Sequence, residues 1–151
     1  MSDYLARLYG WPAGIGSAER AYRERLRVSM RGAISFARQR QEKRQREGKP
    51  SVAVTLTLDQ AMDLLDRQDY RCALTRLRFY SLGSHSYGPS RPSIDRIKHA
   101  GPYSLGNVRD VLLSVNGLRG SGTDAEMIEV ARALVKTARR LQSFHITGGR
   151  Q

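Results

Sequence analysis

Long apolar runs and cysteine are nearly absent from this chain of 151 residues. No apolar run approaches the roughly 18 residues that cross a bilayer, so we do not expect an integral membrane protein. The opening residues Met-Ser-Asp-Tyr-Leu-Ala-Arg include an acid and no hydrophobic segment, which argues against a secretory signal. The single cysteine, Cys72, excludes an internal disulfide and a multi-cysteine zinc site. These absences favour a reducing compartment, and we expect a cytoplasmic protein.

Acidic residues and lysine are also scarce, and arginine is correspondingly abundant. Lysine and arginine together number 26 against 14 acidic residues, and the formal net charge is +12. Only four of the basic residues are lysine, so guanidinium groups, which suit phosphate oxygens, carry the excess. Eleven basic and three acidic residues fall between positions 20 and 49. This clustering favours a nucleic-acid partner over a merely basic surface, and a membrane-surface helix would need more bulky apolar residues there.

The apolar pattern and the helix breakers predict an α+β chain in three parts. Residues 1–49 form an irregular lead-in and a long basic helix over 18–47, residues 50–142 form the main domain, and residues 143–151 form a flexible tail. The helix is predicted from apolar residues at steps of three and four that end before Gly48. Its apolar stripe comprises Tyr22, Leu26, Met30, Ala33 and Ala37.

Capping signals and short alternating runs organise the main domain. Thr57-Leu58-Asp59-Gln60 and Thr123-Asp124-Ala125-Glu126 each match the capping-box pattern that begins a helix. Short apolar or alternating runs bounded by Gly, Pro and Ser predict strands. The predicted elements are a helix to about Arg67, a hairpin of 72–74 and 77–79, strands 93–97 and 107–111, a helix over 112–119 and a last helix to about Leu141.

Three polar residues lie where the two later strands and the helix after them would meet. Asp95 lies in the first strand and Asn116 on the helix, and both offer oxygen ligands that suit a hard cation such as Mg²⁺. Asn107, at the turn into the second strand, can hold the loop through backbone hydrogen bonds. Each of these residues alone is more often a cap or turn residue, so the spacing by itself leaves both interpretations open.

Three motifs follow one another in this region. They are Pro92-Ser93-Ile94-Asp95-Arg96-Ile97, then Gly101-Pro102-Tyr103-Ser104-Leu105-Gly106-Asn107-Val108-Arg109, and then Val115-Asn116-Gly117-Leu118-Arg119. In order and spacing they resemble the HNH (His-Me finger, ββα-metal) endonucleases, and most closely a branch common in bacteriophage genomes. The upstream segments that share the resemblance are Leu56-Thr57-Leu58, Gln68 and Cys72-Ala73-Leu74-Thr75. The resemblance covers about residues 50–135. It implies an α+β fold in which a short hairpin precedes a ββα-metal finger, flanked by a long basic N-terminal helix and a C-terminal helix.

The resemblance implies an enzyme that hydrolyses DNA phosphodiester bonds by nicking or double-strand cutting, with RNA as the alternative ligand. Asp95 and Asn116 would hold one divalent cation, Mg²⁺ or alternatively Mn²⁺, and Asn107 would fix the loop. Many relatives carry two Cys-x-x-Cys zinc pairs, but only Cys72 is present here, so no structural zinc is expected. If the chain is phage-encoded, its location would be the cytoplasm of a bacterial host. The residues expected to hold the finger by packing are Leu74, Ile94, Ile97, Val108, Val111, Leu112 and Val115.

The residue after the aspartate departs from the usual family motif, in which a histidine activates the attacking water. Arg96 stands there, and an arginine stays protonated, so it can hold a phosphate oxygen but cannot act as a general base. The alternatives for the base are His99, His85 or no protein group, and His99 is preferred because it lies close to Arg96 in the chain. The catalytic candidates are Asp95, Arg96, His99, Asn107 and Asn116.

Two functions follow from these observations. The first is a metal-dependent endonuclease, and the alternative is a catalytically weak or inactive HNH-like scaffold that acts as a DNA- or RNA-binding accessory protein. A carboxylate at Asp95 favours the enzyme, because it would repel a phosphate unless a cation lay between them. A structural RNA-binding protein is the lowest-ranked function. The sequence does not decide between a monomer and a homodimer. The residues expected to contact nucleic acid are Arg38, Arg40, Lys43, Arg44, Arg46, Arg76, Arg91, Lys98, Arg109 and Arg119.

Overall fold

The computed structural model describes residues 16–82 and 88–147, which form an α+β arrangement of four α-helices around one antiparallel pair of strands. The long N-terminal and C-terminal helices are present as the sequence predicted. The elements are α1 (Ser17–Arg46), α2 (Leu58–Arg67), β1 (Pro92–Arg96), β2 (Val108–Leu112), α3 (Leu113–Arg119) and α4 (Asp124–Thr147). A short 3-10 turn over Leu105–Asn107 leads into β2.

Helix α1 belongs to the core of the molecule. Its buried apolar residues are Leu26, Met30, Ile34 and Ala37, and they join one cluster with residues of α2 and the sheet. Helix α1 therefore packs against the rest of the described chain, because this stripe would otherwise be exposed, and the lead-in predicted before it lies outside the described residues as far as residue 15. The helix begins at Ser17, one residue before its predicted start, with Gly16 as the N-cap residue. The predicted stop is confirmed, with Glu47 as the C-cap and Gly48 at φ 65°.

Both predicted capping boxes are confirmed. In α2 the Thr57 hydroxyl accepts from the Gln60 amide at 3.2 Å, and the Gln60 side chain accepts from the Thr57 amide at 3.0 Å. At the start of α4 the Thr123 hydroxyl accepts from the Glu126 amide at 3.2 Å, and the Glu126 carboxylate accepts from the Thr123 amide at 2.7 Å. Each box satisfies backbone donors that the first helical turn leaves without partners.

The hairpin predicted over 72–79 is reduced to a tight turn with one bridge between Arg71 and Arg78. The chain reverses at Arg76, which has φ 60° and donates its amide to the Cys72 carbonyl at 3.0 Å. The amide of Ala73 instead donates to the carbonyl of Asp110 at 3.0 Å, which ties the turn to β2. The thiol of Cys72 is free and buried, as the sequence predicted.

The strands β1 and β2 pair with Asp95 opposite Arg109 and Ile94 opposite Asp110. Each strand lies within one residue of its predicted bounds. Because side chains alternate along a strand, Asp95 and Arg109 lie on one face of the pair and Ile94 and Asp110 lie on the other. Helix α3 follows β2 directly and ends at Gly120, which has φ 55°.

Several predicted packing residues have different surroundings. Ile97 is 48% exposed, because β1 ends at Arg96 and the chain then turns into the loop. On α4 Met127 is buried, whereas Leu134, further along the helix, is 59% exposed. Helix α4 continues to Thr147, so the first part of the predicted tail is helical. Among the described residues, no helix has the length and apolar character needed to cross a membrane.

Candidate nucleic-acid interface

Asn107 holds the loop between β1 and β2. Its side-chain oxygen accepts from the Lys98 amide at 2.9 Å, and its side-chain nitrogen donates to the carbonyls of Lys98 at 3.1 Å and Pro102 at 2.9 Å. Gly101 permits this close approach, because a Cβ there would lie 2.6 Å from the Asn107 side-chain nitrogen. The predicted role of Asn107 in fixing the loop through backbone hydrogen bonds is confirmed.

Asp95 is a buried carboxylate between two arginines, and only 3% of it is exposed. Its Oδ1 accepts from Arg119 Nη1 at 2.7 Å, and its Oδ2 accepts from Arg109 Nε at 2.9 Å. Both guanidinium groups also donate to Asp124, from Arg109 Nη1 at 2.7 Å and from Arg119 Nε at 2.9 Å. Two positive and two negative side chains therefore form one ion cluster (Asp95, Arg109, Arg119 and Asp124).

The ion cluster ties the start of α4 to the sheet and the loop. Arg119 is buried, and it also donates to the carbonyls of Arg96 and Ile97, each at 2.9 Å. Every side-chain nitrogen of Arg119 therefore has an acceptor. The hydrogen bond from Arg109 lowers the pKa of Asp124, and the hydrogen bond to Asp124 raises the pKa of Arg109. These shifts have the signs expected for a closed set of charge-assisted hydrogen bonds.

The ion cluster changes the interpretation of three predicted site residues. Arg109 and Arg119 are not available to contact nucleic acid as predicted, because their guanidinium groups are engaged inside the protein. Asp95 as arranged does not fit the role of a divalent-cation ligand. Both of its oxygens face guanidinium groups, which would repel a cation placed beside them.

Asn116 lies against β1 from the side of α3. Its side-chain nitrogen donates to the Ser93 hydroxyl at 2.8 Å and to the Ile94 carbonyl at 3.3 Å. The amide therefore sits beside the strand that carries Asp95, where the strand–strand–helix order was predicted to bring the two residues together. In this structure Asn116 fastens α3 to the sheet.

Tyr103 contacts charged groups from two other parts of the chain. Its ring is buried, and its hydroxyl accepts a short hydrogen bond from Arg40 of α1. The Arg96 guanidinium carbon lies 4.7 Å from the centroid of the same ring, in a cation–π contact, and Arg96 donates to the Gly101 carbonyl at 3.0 Å. His99 lies in the adjoining loop. We call these four residues the Tyr103 cluster (Arg40, Arg96, His99 and Tyr103).

His99 is exposed at the edge of the Tyr103 cluster. Partial desolvation, followed by the positive charges of Arg96, Arg119 and Arg40, lowers the pKa of its imidazole below the ordinary value of 6.5. The imidazole is therefore neutral at neutral pH, and protonation at lower pH adds a positive charge to the cluster. Arg40 is exposed and Arg96 is partly exposed, so an anion can reach both guanidinium groups.

The remaining predicted cations have different positions. Five of them are exposed. Four lie on α1 (Arg38, Lys43, Arg44 and Arg46), and Lys98 lies in the loop next to His99. Arg76 lies in the turn over 72–79, and the ion pair between Arg78 and Glu19 joins this turn to the start of α1. Glu19 lies roughly 30 Å along the helix from Arg40, at about 1.5 Å per residue. Arg91 lies against α1, where its Nη2 would be 4.0 Å from a Cβ at position 32. His85 lies outside the described residues.

Two members of these groups were not identified from the sequence. Tyr103 is part of the motif 101–109 but carries no charge, and only its contact with α1 reveals its role. Asp124 was noted only inside a capping box, although its place in the first turn of α4 suits a carboxylate. Its pairing with Arg109 and Arg119 depends on how α4 meets the sheet.

The comparisons add no relative. No protein-family model, no curated protein and no solved structure matches the chain.

Proposed function

We propose that this protein binds the sugar–phosphate backbone of nucleic acid at the Tyr103 cluster, on an HNH-like ββα scaffold, and that this binding needs no metal. One observation carries the proposal, namely the convergence of Arg40 and Arg96 on one buried tyrosine, with His99 exposed in the adjoining loop. Guanidinium groups held by a rigid neighbour are suited to phosphate oxygens, because less side-chain entropy is lost on binding.

The wider charge distribution supports the same ligand. The net charge is +12, and the last two turns of α1 carry exposed Lys43, Arg44 and Arg46 beyond Arg40. Such a stripe can follow successive phosphates and release their counterions. Asp95, the negative charge nearest to Arg96 in the chain, is already balanced inside the ion cluster, so it does not oppose a phosphate as an unpaired carboxylate would.

Fluorescence anisotropy with a labelled oligonucleotide tests the proposal, with EDTA present and salt varied. We expect Arg40→Gln to weaken binding about tenfold, since a charge-assisted hydrogen bond contributes about 1.5 kcal/mol and about 1.4 kcal/mol is tenfold. The slope of log affinity against log salt should fall by about 0.7 for a single strand. Arg139→Gln, an exposed arginine on α4, is the matched control. Equal losses in the two variants would contradict a defined site.

Endonuclease activity, which the resemblance to HNH enzymes implies, is the second candidate. It is favoured by the placement of Asn116 beside β1 and by Asn107 on the loop, the positions that the motif gives them. His99 adds a neutral imidazole close to Arg96. The imidazole can accept a proton while the guanidinium holds a phosphate oxygen.

A supercoiled-plasmid assay separates the two candidates. The wild type is incubated with Mg²⁺, Mn²⁺ or EDTA beside Asn116→Ala and His99→Ala, and folding of each variant is checked by circular dichroism. Nicked or linear product that requires a divalent cation and disappears in both variants would establish the enzyme. If the wild type binds the plasmid but leaves it uncut, backbone binding is the function that the assay supports.

A further inference from the structure

Phe36 is an exposed aromatic side chain on α1, with 65% of its surface accessible to solvent. It lies one helical turn before Arg40, whose guanidinium carbon is 5.9 Å from the centroid of the phenyl ring. Arg40 in turn donates to the hydroxyl of Tyr103. An exposed ring is therefore joined, through one arginine, to the cluster proposed to hold phosphate.

The surroundings of Phe36 leave room beside its ring. Side chains of an α-helix point back toward the preceding turn, and for Phe36 that turn contains Gly32. Glycine has no side chain to cover the ring there. The nearest heavy atom to a Cβ at position 32 is Arg91 Nη2, at 4.0 Å. A flat group can therefore approach the ring from this side.

Resting on the proposed function, we propose that Phe36 is a stacking platform for an unpaired base, and that the ligand class is single-stranded nucleic acid. Proteins that bind single strands combine a basic path for the backbone with aromatic rings on which bases stack. Phe36, Arg40 and Lys43 lie on one face of α1 at steps of four and three residues. A base on Phe36 places its backbone beside Arg40, and Lys43 follows for the next phosphate. A duplex keeps its bases stacked on one another and offers no free face to the ring.

Three ligands of equal length distinguish stacking from charge: a single-stranded oligonucleotide, an abasic strand with the same phosphates, and a duplex. We expect the wild type to bind the strand with bases more tightly than the abasic strand. Phe36→Ala should weaken binding of the strand with bases by about five- to 150-fold, the range of stacking on one aromatic ring, and leave the other two affinities unchanged. Phe36→Trp should retain the preference, because its ring also stacks.

Gly32→Leu gives a second variant that does not depend on removing the ring. Leucine is a better helix former than glycine, and a Cβ at this position meets no atom closer than 4.0 Å, so the fold should be retained. The leucine side chain would cover the space beside Phe36 and weaken binding of the strand with bases alone.

The outcomes separate this inference from the function on which it rests. We expect Arg40→Gln to lose affinity for all three ligands. We expect Phe36→Ala to bind strands with and without bases equally well. Equal binding of strands with and without bases by the wild type would overturn the stacking inference and leave backbone binding intact. No binding of any ligand by the wild type would overturn both.

Discussion

Removing Asp95 tests the buried ion cluster quantitatively. Asp95→Ala removes the buried one of the two carboxylates that Arg109 and Arg119 share, and the side chains of Asp95 and Arg119 are only 3% and 5% exposed. Breaking a buried ion pair by removing one partner costs about 3–5 kcal/mol. For a chain of this size about 1 kcal/mol shifts the melting temperature by about 2–4 °C, so the expected fall is roughly 6–20 °C.

Urea and thermal unfolding followed by circular dichroism measure this change. Asp59→Ala is the control, because Asp59 is 86% exposed and lies 3.6 Å from Arg27, and its effect should stay within about 0.5 kcal/mol. The double variant Asp95→Leu with Arg119→Met should regain part of the loss, since apolar replacement of both partners removes the unpaired charge. An Asp95→Ala protein as stable as the wild type would refute the ion-cluster interpretation. So would stabilisation by Mg²⁺ that is seen in the wild type and absent in Asp95→Ala.

Three further perturbations follow from contacts in the structure. Asn107→Ala removes three hydrogen bonds from the loop and should destabilise the protein by about 1–3 kcal/mol, with faster amide exchange at Lys98; unchanged exchange there would contradict the loop-holding role. The lowered pKa of His99 means that protonation below neutral pH adds charge to the Tyr103 cluster, so nucleic-acid affinity should rise as pH falls, and the rise should be absent in His99→Gln; equal pH profiles would count against it. Asp110 is fully buried, no described residue donates a hydrogen bond to its carboxyl oxygens, and burial raises its pKa from 3.8 to about 8. The folded state therefore binds the Asp110 proton more tightly than the unfolded state does. The stability that this proton contributes is complete below the unfolded pKa and is lost as pH rises toward about 8, by about 1.4 kcal/mol per pH unit. The free energy of unfolding, measured across this pH range, should vary less with pH for Asp110→Asn than for the wild type. Asp63→Asn, at an exposed position, is the control, and parallel pH profiles for Asp110→Asn and the wild type would disprove the raised pKa of Asp110.

Local signals in the sequence predicted the local structure well. Both capping boxes, the stop after α1 and the loop held by Asn107 involve residues a few positions apart, so short-range geometry decides them. The hairpin at 72–79 failed because the turn pairs with β2 instead, through the contact between Ala73 and the Asp110 carbonyl. Ile97 was expected in the core, but β1 ends at Arg96 and Ile97 therefore lies in the loop rather than in the strand.

The site depends on contacts that no local pattern shows. Arg40 and Tyr103 are 63 residues apart in sequence, and they meet only because α1 packs across the sheet. Arg109 and Arg119 were expected to contact nucleic acid. The packing of α4 brings Asp124 between them, and the buried carboxylate of Asp95 then needs both. Charge in the sequence therefore predicts a nucleic-acid ligand, and the fold shows which arginines are exposed and which are engaged inside the protein.

Binding of a labelled oligonucleotide, measured in EDTA and again in Mg²⁺ with each sample analysed for strand cleavage, tests backbone binding without metal most directly. We expect equal affinities under the two conditions, weaker binding for Arg40→Gln, and an intact strand throughout. Binding that appears only with Mg²⁺, or a strand that is cut when Mg²⁺ is added, would contradict it.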